Sequence, residues 1–124
     1  MKTLRNIGLF FLAVALAVVF IPLGLLYSLV TLRLCPLSDY AKACAIAIDQ
    51  LGNVFCSTLF NDVLIFQNPN VRFGDPDQTI SAVLGYNQRD GSLTVFGFVL
   101  CWLLDTLDPR HCYKAMVRDQ NQCV

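Results

Sequence analysis

Between Arg5 and Arg33 the chain runs for 27 residues without a charge, and 21 of them are hydrophobic. A helix from Ile7 to Leu32 rises ~39 Å at 1.5 Å per residue, against roughly 30 Å for the hydrocarbon core of a bilayer. A secretory signal peptide competes with this reading, because Met1, Lys2 and Arg5 form a short basic tip. Its apolar stretch, however, is normally about 7–15 residues and ends in a small-x-small cleavage site. The run here is longer, its Ala13, Ala15 and Ala17 fall in the middle, and Leu34 before Cys35 is too bulky for a lipoprotein-type cleavage. Residues 1–34 therefore read as an uncleaved anchor. Pro22 and Gly24 are tolerated in a membrane helix; Ala13-xxx-Ala17 reads as alanines filling a lipid-facing helix, though the spacing would also let two such helices approach closely.

Outside that run, 48 of 97 residues are hydrophobic, an ordinary soluble composition. A length of 124 residues allows one small domain after the anchor and excludes a multidomain enzyme or a large transporter. Nine basic and nine acidic residues leave no basic stripe for phosphates, so no nucleic acid is expected as a partner. Positive-inside counting gives a tie between Lys2 with Arg5 and Arg33 with Lys42; the short basic N-terminus favours a single-pass protein with its C-terminal domain outside.

The domain, residues 35–124, reads as all-α, with three to four helices. Ser38 or Asp39 caps a helix over Tyr40–Phe66, in which Cys44, Ile48, Leu51, Phe55 and Leu59 form one apolar face. Asp49, Gln50, Asn53 and Asp62 interrupt it, and Gly52 marks a weak point. After a loop at 67–74, Asp75-Pro76-Asp77-Gln78 is a capping-box start, with Asp75 as cap and Pro76 in the first turn. That helix should end near Gly85, with a turn over Asn87–Gly91. Ser92 or Thr94 opens an apolar helix to Leu107, too short to cross a bilayer comfortably. It reads as a buried central helix or one lying at the membrane surface. Asp108-Pro109 opens a last helix over Arg110–Arg118, and the tail from Asp119 should fray. All nine acids are Asp and none is Glu, which suits capping better than helix interiors.

Cys35, Cys44, Cys56, Cys101, Cys112 and Cys123 give an even count, compatible with disulfides outside the cytoplasm or with small core residues inside it. Cys44 and Cys56 cannot pair on one helix, where twelve residues separate them by ~18 Å. No C-x₂-C pair and a single His argue against zinc, and no cofactor or metal is expected. Asp75-x-Asp77-x-Thr79 fails as a calcium loop, with Ile80 and Tyr86 where Gly and Glu belong. It also follows a polar loop instead of the buried strand that a phosphatase motif needs. Ser81, His111 and Asp105 are candidates for a Ser–His–Asp arrangement, with Asp77 an alternative acid. Cys112 is a further nucleophile candidate, although adjacent helical residues point about 100° apart, which keeps His111 from activating it directly.

From Ala47 to Ala115 the chain resembles small proteins encoded by bacteriophages and prophages. The shared pattern is Asp49-Gln50 with Asn53, then Gly74-x-x-Asp77-Gln78-Thr79-Ile80-Ser81, then Asp90-Gly91, Gly97, Asp105 and His111-Cys112 with Ala115. Gln78 stands where those proteins usually carry Glu. The resemblance implies a phage origin and a compact domain, and no reaction. The expectation is an accessory protein of the bacterial host's inner membrane, acting by binding or assembly, lysis-related or envelope-modifying. Its partners would be the lipid bilayer, a second copy, or another membrane or phage protein. Alternatives are a membrane-tethered hydrolase using Ser81, His111 and Asp105, and a minor virion component.

Overall fold

The structure is a computed structural model and describes residues 1–31 and 37–122. Among the described residues it is all-α, with six helices and a single isolated β-bridge. They divide into two compact units, Met1–Ala41 and Lys42–Val124.

The first unit is dominated by α1, Lys2–Thr31. Its apolar side chains are exposed along nearly its whole length, and it is long and apolar enough to cross a membrane. Pro22 lies inside the helix without ending it.

The expected helix over 40–66 is two helices, α2 (Leu37–Phe55) and α3 (Ser57–Val63), bent by 76° around Cys56. The hydrogen bonds from Cys56 N to Gly52 O and from Phe60 N to Cys56 O carry the backbone through the bend. Gly52 is therefore not the break. Its missing Cβ admits Ile80, whose Cδ1 would stand 3.0 Å from any Cβ placed there.

The face that α2 buries is also the reverse of the one its periodicity suggests. Ile48, Leu51 and Phe55 on α2, and Leu59 on α3, are exposed, whereas Asn53 is wholly buried and Asp49 and Gln50 are half-buried. The polar side of the helix turns inward because the segment 74–81 offers it a row of backbone donors and acceptors.

After α3 the chain makes a short antiparallel contact. Ile65 bridges Leu93, Thr94 N bonds Leu64 O at 3.0 Å, and Phe66 N bonds Ser92 O at 2.9 Å. Asp75 does not cap a helix. Its Oδ1 takes the Asp77 N–H and its carbonyl the Gln78 N–H, closing a turn. The cap of α4 (Ile80–Asp90) is Thr79, whose hydroxyl accepts from Ala82 N. This helix runs past Gly85 through the expected turn and stops at Gly91, left-handed at φ 71°.

Thr94 caps α5 (Val95–Leu107), as one of its two expected starts. The last helix, α6, covers His111–Gln122; it begins after Arg110 (φ 61°) and continues through the segment expected to fray. Asp119 is buried there, accepting from Gln78 Nε2 at 3.1 Å and from the Tyr86 hydroxyl at 2.8 Å. α4 packs chiefly on α6, with Gly85 pressed against the Cys112 carbonyl. Leu64, Ile65, Phe73, Val83 and Leu84 form the apolar centre with Cys101 and Cys112.

Candidate functional site

The polar face of α2 grips the segment that leads into α4. Asp49 Oδ1 accepts the Ile80 N–H at 3.1 Å and its Oδ2 accepts the Ser81 hydroxyl at 2.9 Å. A carboxylate thus sits on unpaired donors at a helix N-terminus, where the helix dipole favours negative charge. One residue on, Gln50 Nε2 donates to Asp77 O at 3.1 Å. One turn on, Asn53 donates to the carbonyls of Asp75 and Gln78 and accepts from Gly74 N.

Ser81 joins this grip to α6. Its Oγ lies 3.2 Å from His111 Nε2, and His111 Nδ1 lies 3.1 Å from Asp108 Oδ2. Lys114 Nζ donates to the other Asp108 oxygen at 2.6 Å. Ser81 and His111 therefore meet, as the Ser–His–Asp candidate required, but the acid is Asp108. Asp105 is occupied elsewhere: its Oδ1 accepts the Cys112 N–H at 3.1 Å, capping α6 from α5. The His111 ring nitrogens meet Ser81 and Asp108, not Asp77, whose backbone carbonyl and N–H are held by Gln50 and Asp75.

Ser81 Oγ thus stands between two partners, the Asp49 carboxylate at 2.9 Å and His111 Nε2 at 3.2 Å, with one proton to give. The serine is only 3% exposed. Hydrogen bonds from Lys114 and then His111 hold the Asp108 carboxyl below the usual carboxylate range. The arrangement ties α2, α4 and α6 together at the edge of a cavity of about 450 Å³, lined among others by Lys42, His111, Lys114 and Arg118.

Cys112 is no activated nucleophile. It is fully buried, and its hydrogen bond to Cys101 together with burial pushes its thiol well above the ordinary range. Cys44, Cys56, Cys101 and Cys112 are all free thiols; Cys35 and Cys123 lie outside the described residues. Cys101, Asp105 and Cys112 bring their ligating atoms within 4.8 Å of one another. Three donors fall one short of a closed tetrahedral site, and one of them already accepts a backbone N–H.

The remaining pattern residues have structural work. Thr79 and Gly91 cap the two ends of α4, and Gln78 reaches Asp119 with an amide where a second carboxylate would be repelled. Four residues of the polar interior escape sequence reasoning. Asn61 exchanges two hydrogen bonds with the Phe73 backbone, and Asn87 donates to the carbonyls of Val71 and Val83. Tyr86 and Asp119 pair across α4 and α6. The available signal was asparagine in helix interiors, a poor helix former that needs another reason to be there.

Comparison with known proteins gives no match to a family model, to a curated protein or to a solved structure.

Proposed function

We propose that this is a membrane-anchored accessory protein of phage origin that acts by binding and assembly in the inner membrane of a bacterial host, in a lysis-related or envelope-modifying role. The observation that carries the reading is α1, a 30-residue helix whose apolar side chains are exposed to whatever surrounds it. In water such a surface is unfavourable by roughly 25 cal/mol for each Å² of apolar area, and lipid removes that cost. Binding is favoured over catalysis because Ser81 is buried and its hydroxyl has the Asp49 carboxylate as the nearer partner, at 2.9 Å against 3.2 Å to His111 Nε2. The phage origin rests on the pattern running from Asp49 to Ala115.

The test is induction of the full chain in a bacterial host. Growth arrest or an altered envelope is expected, with the protein resisting alkaline carbonate extraction, and deletion of residues 7–32 should abolish both. A chain that acts equally well without residues 7–32 would sink the reading. Membrane orientation follows from thiol labelling of intact against opened cells, with an outside domain expected.

A second reading, a tethered hydrolase, draws on the contacts of 3.2 Å from Ser81 to His111 and 3.1 Å from His111 to Asp108. It requires the Ser81 hydroxyl to turn from Asp49 to Nε2. A fluorophosphonate probe separates the two: labelling lost in both Ser81→Ala and His111→Ala supports the hydrolase, and binding alone gives no labelling.

A further inference from the structure

We infer that the outward face of α5, with the end of α3 beside it, lies in the interfacial layer of a lipid bilayer. The inference rests on α1 being a membrane anchor. Along α5 the only charged residue is Asp105, and it turns inward to the Cys112 N–H. The face it leaves outward carries Val95, Phe96, Phe98, Val99, Trp102 and Leu103, with Phe96 69% and Trp102 58% exposed. Thr106, the polar side chain on that stretch, donates its hydroxyl to the Trp102 carbonyl and so hides both groups. Val63 and Phe66 line one shallow depression with Val95 and Phe96, together with Thr94, whose hydroxyl is given to the Val63 carbonyl, and Asp62. The apolar surface thus runs from α3 to α5 with one exposed carboxylate, Asp62, beside it.

The interior is the complement of this exterior. Asn53, Thr79, Ser81, Asn87 and Asp119 are buried. Among the described residues no buried side-chain nitrogen or oxygen lacks a partner. Satisfied polar groups inside and large apolar groups outside are the arrangement that a lipid-facing surface demands. At 13 residues α5 is ~20 Å long and cannot cross a core of roughly 30 Å, so it lies along the surface.

Two arguments favour lipid over a protein as the occupant. The backbone between Thr31, where α1 ends, and Leu37, where α2 begins, spans ~20 Å at full extension, so the bilayer is always within reach of this unit. The patch also carries a Trp, the side chain enriched where a bilayer meets water.

Trp102 is the chain's single tryptophan, and this makes it the reporter. The full chain is reconstituted into phosphatidylethanolamine–phosphatidylglycerol vesicles, with and without lipids brominated high or low on the acyl chain. The expected result is blue-shifted Trp102 emission, protected from acrylamide and quenched more by the shallow bromines than by the deep ones. Phe96→Asp with Val99→Asp should lose that quenching while far-UV circular dichroism and carbonate resistance are retained. Emission typical of water, open to acrylamide and indifferent to brominated lipid, overturns the inference. So does a Trp102 shielded from acrylamide but not quenched by lipid, whose shielding fades as protein is diluted in lipid; that result assigns the face to a second copy. If the unmodified chain washes off in carbonate, the anchor itself is wrong and the inference falls with it. If it stays and Trp102 is in water, only the inference fails.

Discussion

Asn53 donates to the Asp75 and Gln78 carbonyls and accepts from the Gly74 N–H, at a position with no access to water. Asn53→Ala strands the Gly74 N–H and the Gln78 carbonyl, while the Asp75 carbonyl keeps the Gln78 N–H. At about 1–3 kcal/mol for each unsatisfied group the variant should lose ~2–6 kcal/mol. A urea titration should show the midpoint fall at constant slope; an unchanged midpoint would mean that the 74–78 segment holds itself. Asp108 makes a different prediction. Lys114 and then His111 depress its carboxyl in the folded protein. The folded state therefore binds a proton less readily than the unfolded one. The stabilisation is complete at neutral pH, above the unfolded carboxylate value, and is lost as pH falls through the depressed value. Asp108→Asn should flatten that part of the acid limb of a stability-against-pH curve. An acid limb identical to that of the parent protein would detach Asp108 from the clamp's energetics.

At the scale of elements, the seam between α4 and α6 depends on Gly85, which leaves no room for a Cβ against the Cys112 carbonyl and Met116. Gly85→Ala must push the helices apart, and overpacking of this kind costs typically about 1–3 kcal/mol. Thermal unfolding of the variant should show a lowered midpoint; a gain in stability, as for a simple glycine-to-alanine helix replacement, would contradict the close packing. The same scale shows what the sequence made legible. The uncharged run announced α1 and Thr94 stood where a cap belongs, whereas the stop expected near Gly85 lies at Gly91. Periodicity also found the apolar stripe on α2, but it cannot say which side of a helix is covered. That side was decided by partners 22 to 32 residues away, namely Asp75, Gln78, Ile80 and Ser81. At the candidate site, the meeting of Ser81 with His111 was foreseeable in kind. The choice of acid was not, because Asp105 and Asp108 differ only in whether α5 has ended, and the bend that follows aims one at a backbone N–H and the other at the ring. Asp75 misled for a similar reason: a carboxylate that can cap a helix can equally close its own turn.

The whole molecule joins an apolar rod to a unit whose middle is held by amides and carboxylates as much as by hydrocarbon. Directional bonds of that kind respond differently to temperature from buried apolar area. Exposing apolar surface raises the heat capacity on unfolding, whereas exposing polar surface lowers it. The unit Lys42–Val124, whose interior holds Asn53, Thr79, Ser81, Asn87 and Asp119 beside its apolar residues, should therefore fall below the usual ~12–15 cal/mol/K per residue. Denaturant titrations of the lipid-bound chain at several temperatures measure this, and a value inside that range would return the dominant role to apolar burial. A small heat-capacity change also flattens the curve of stability against temperature. The polar interior would then give a protein whose stability scarcely varies between cold and warm surroundings.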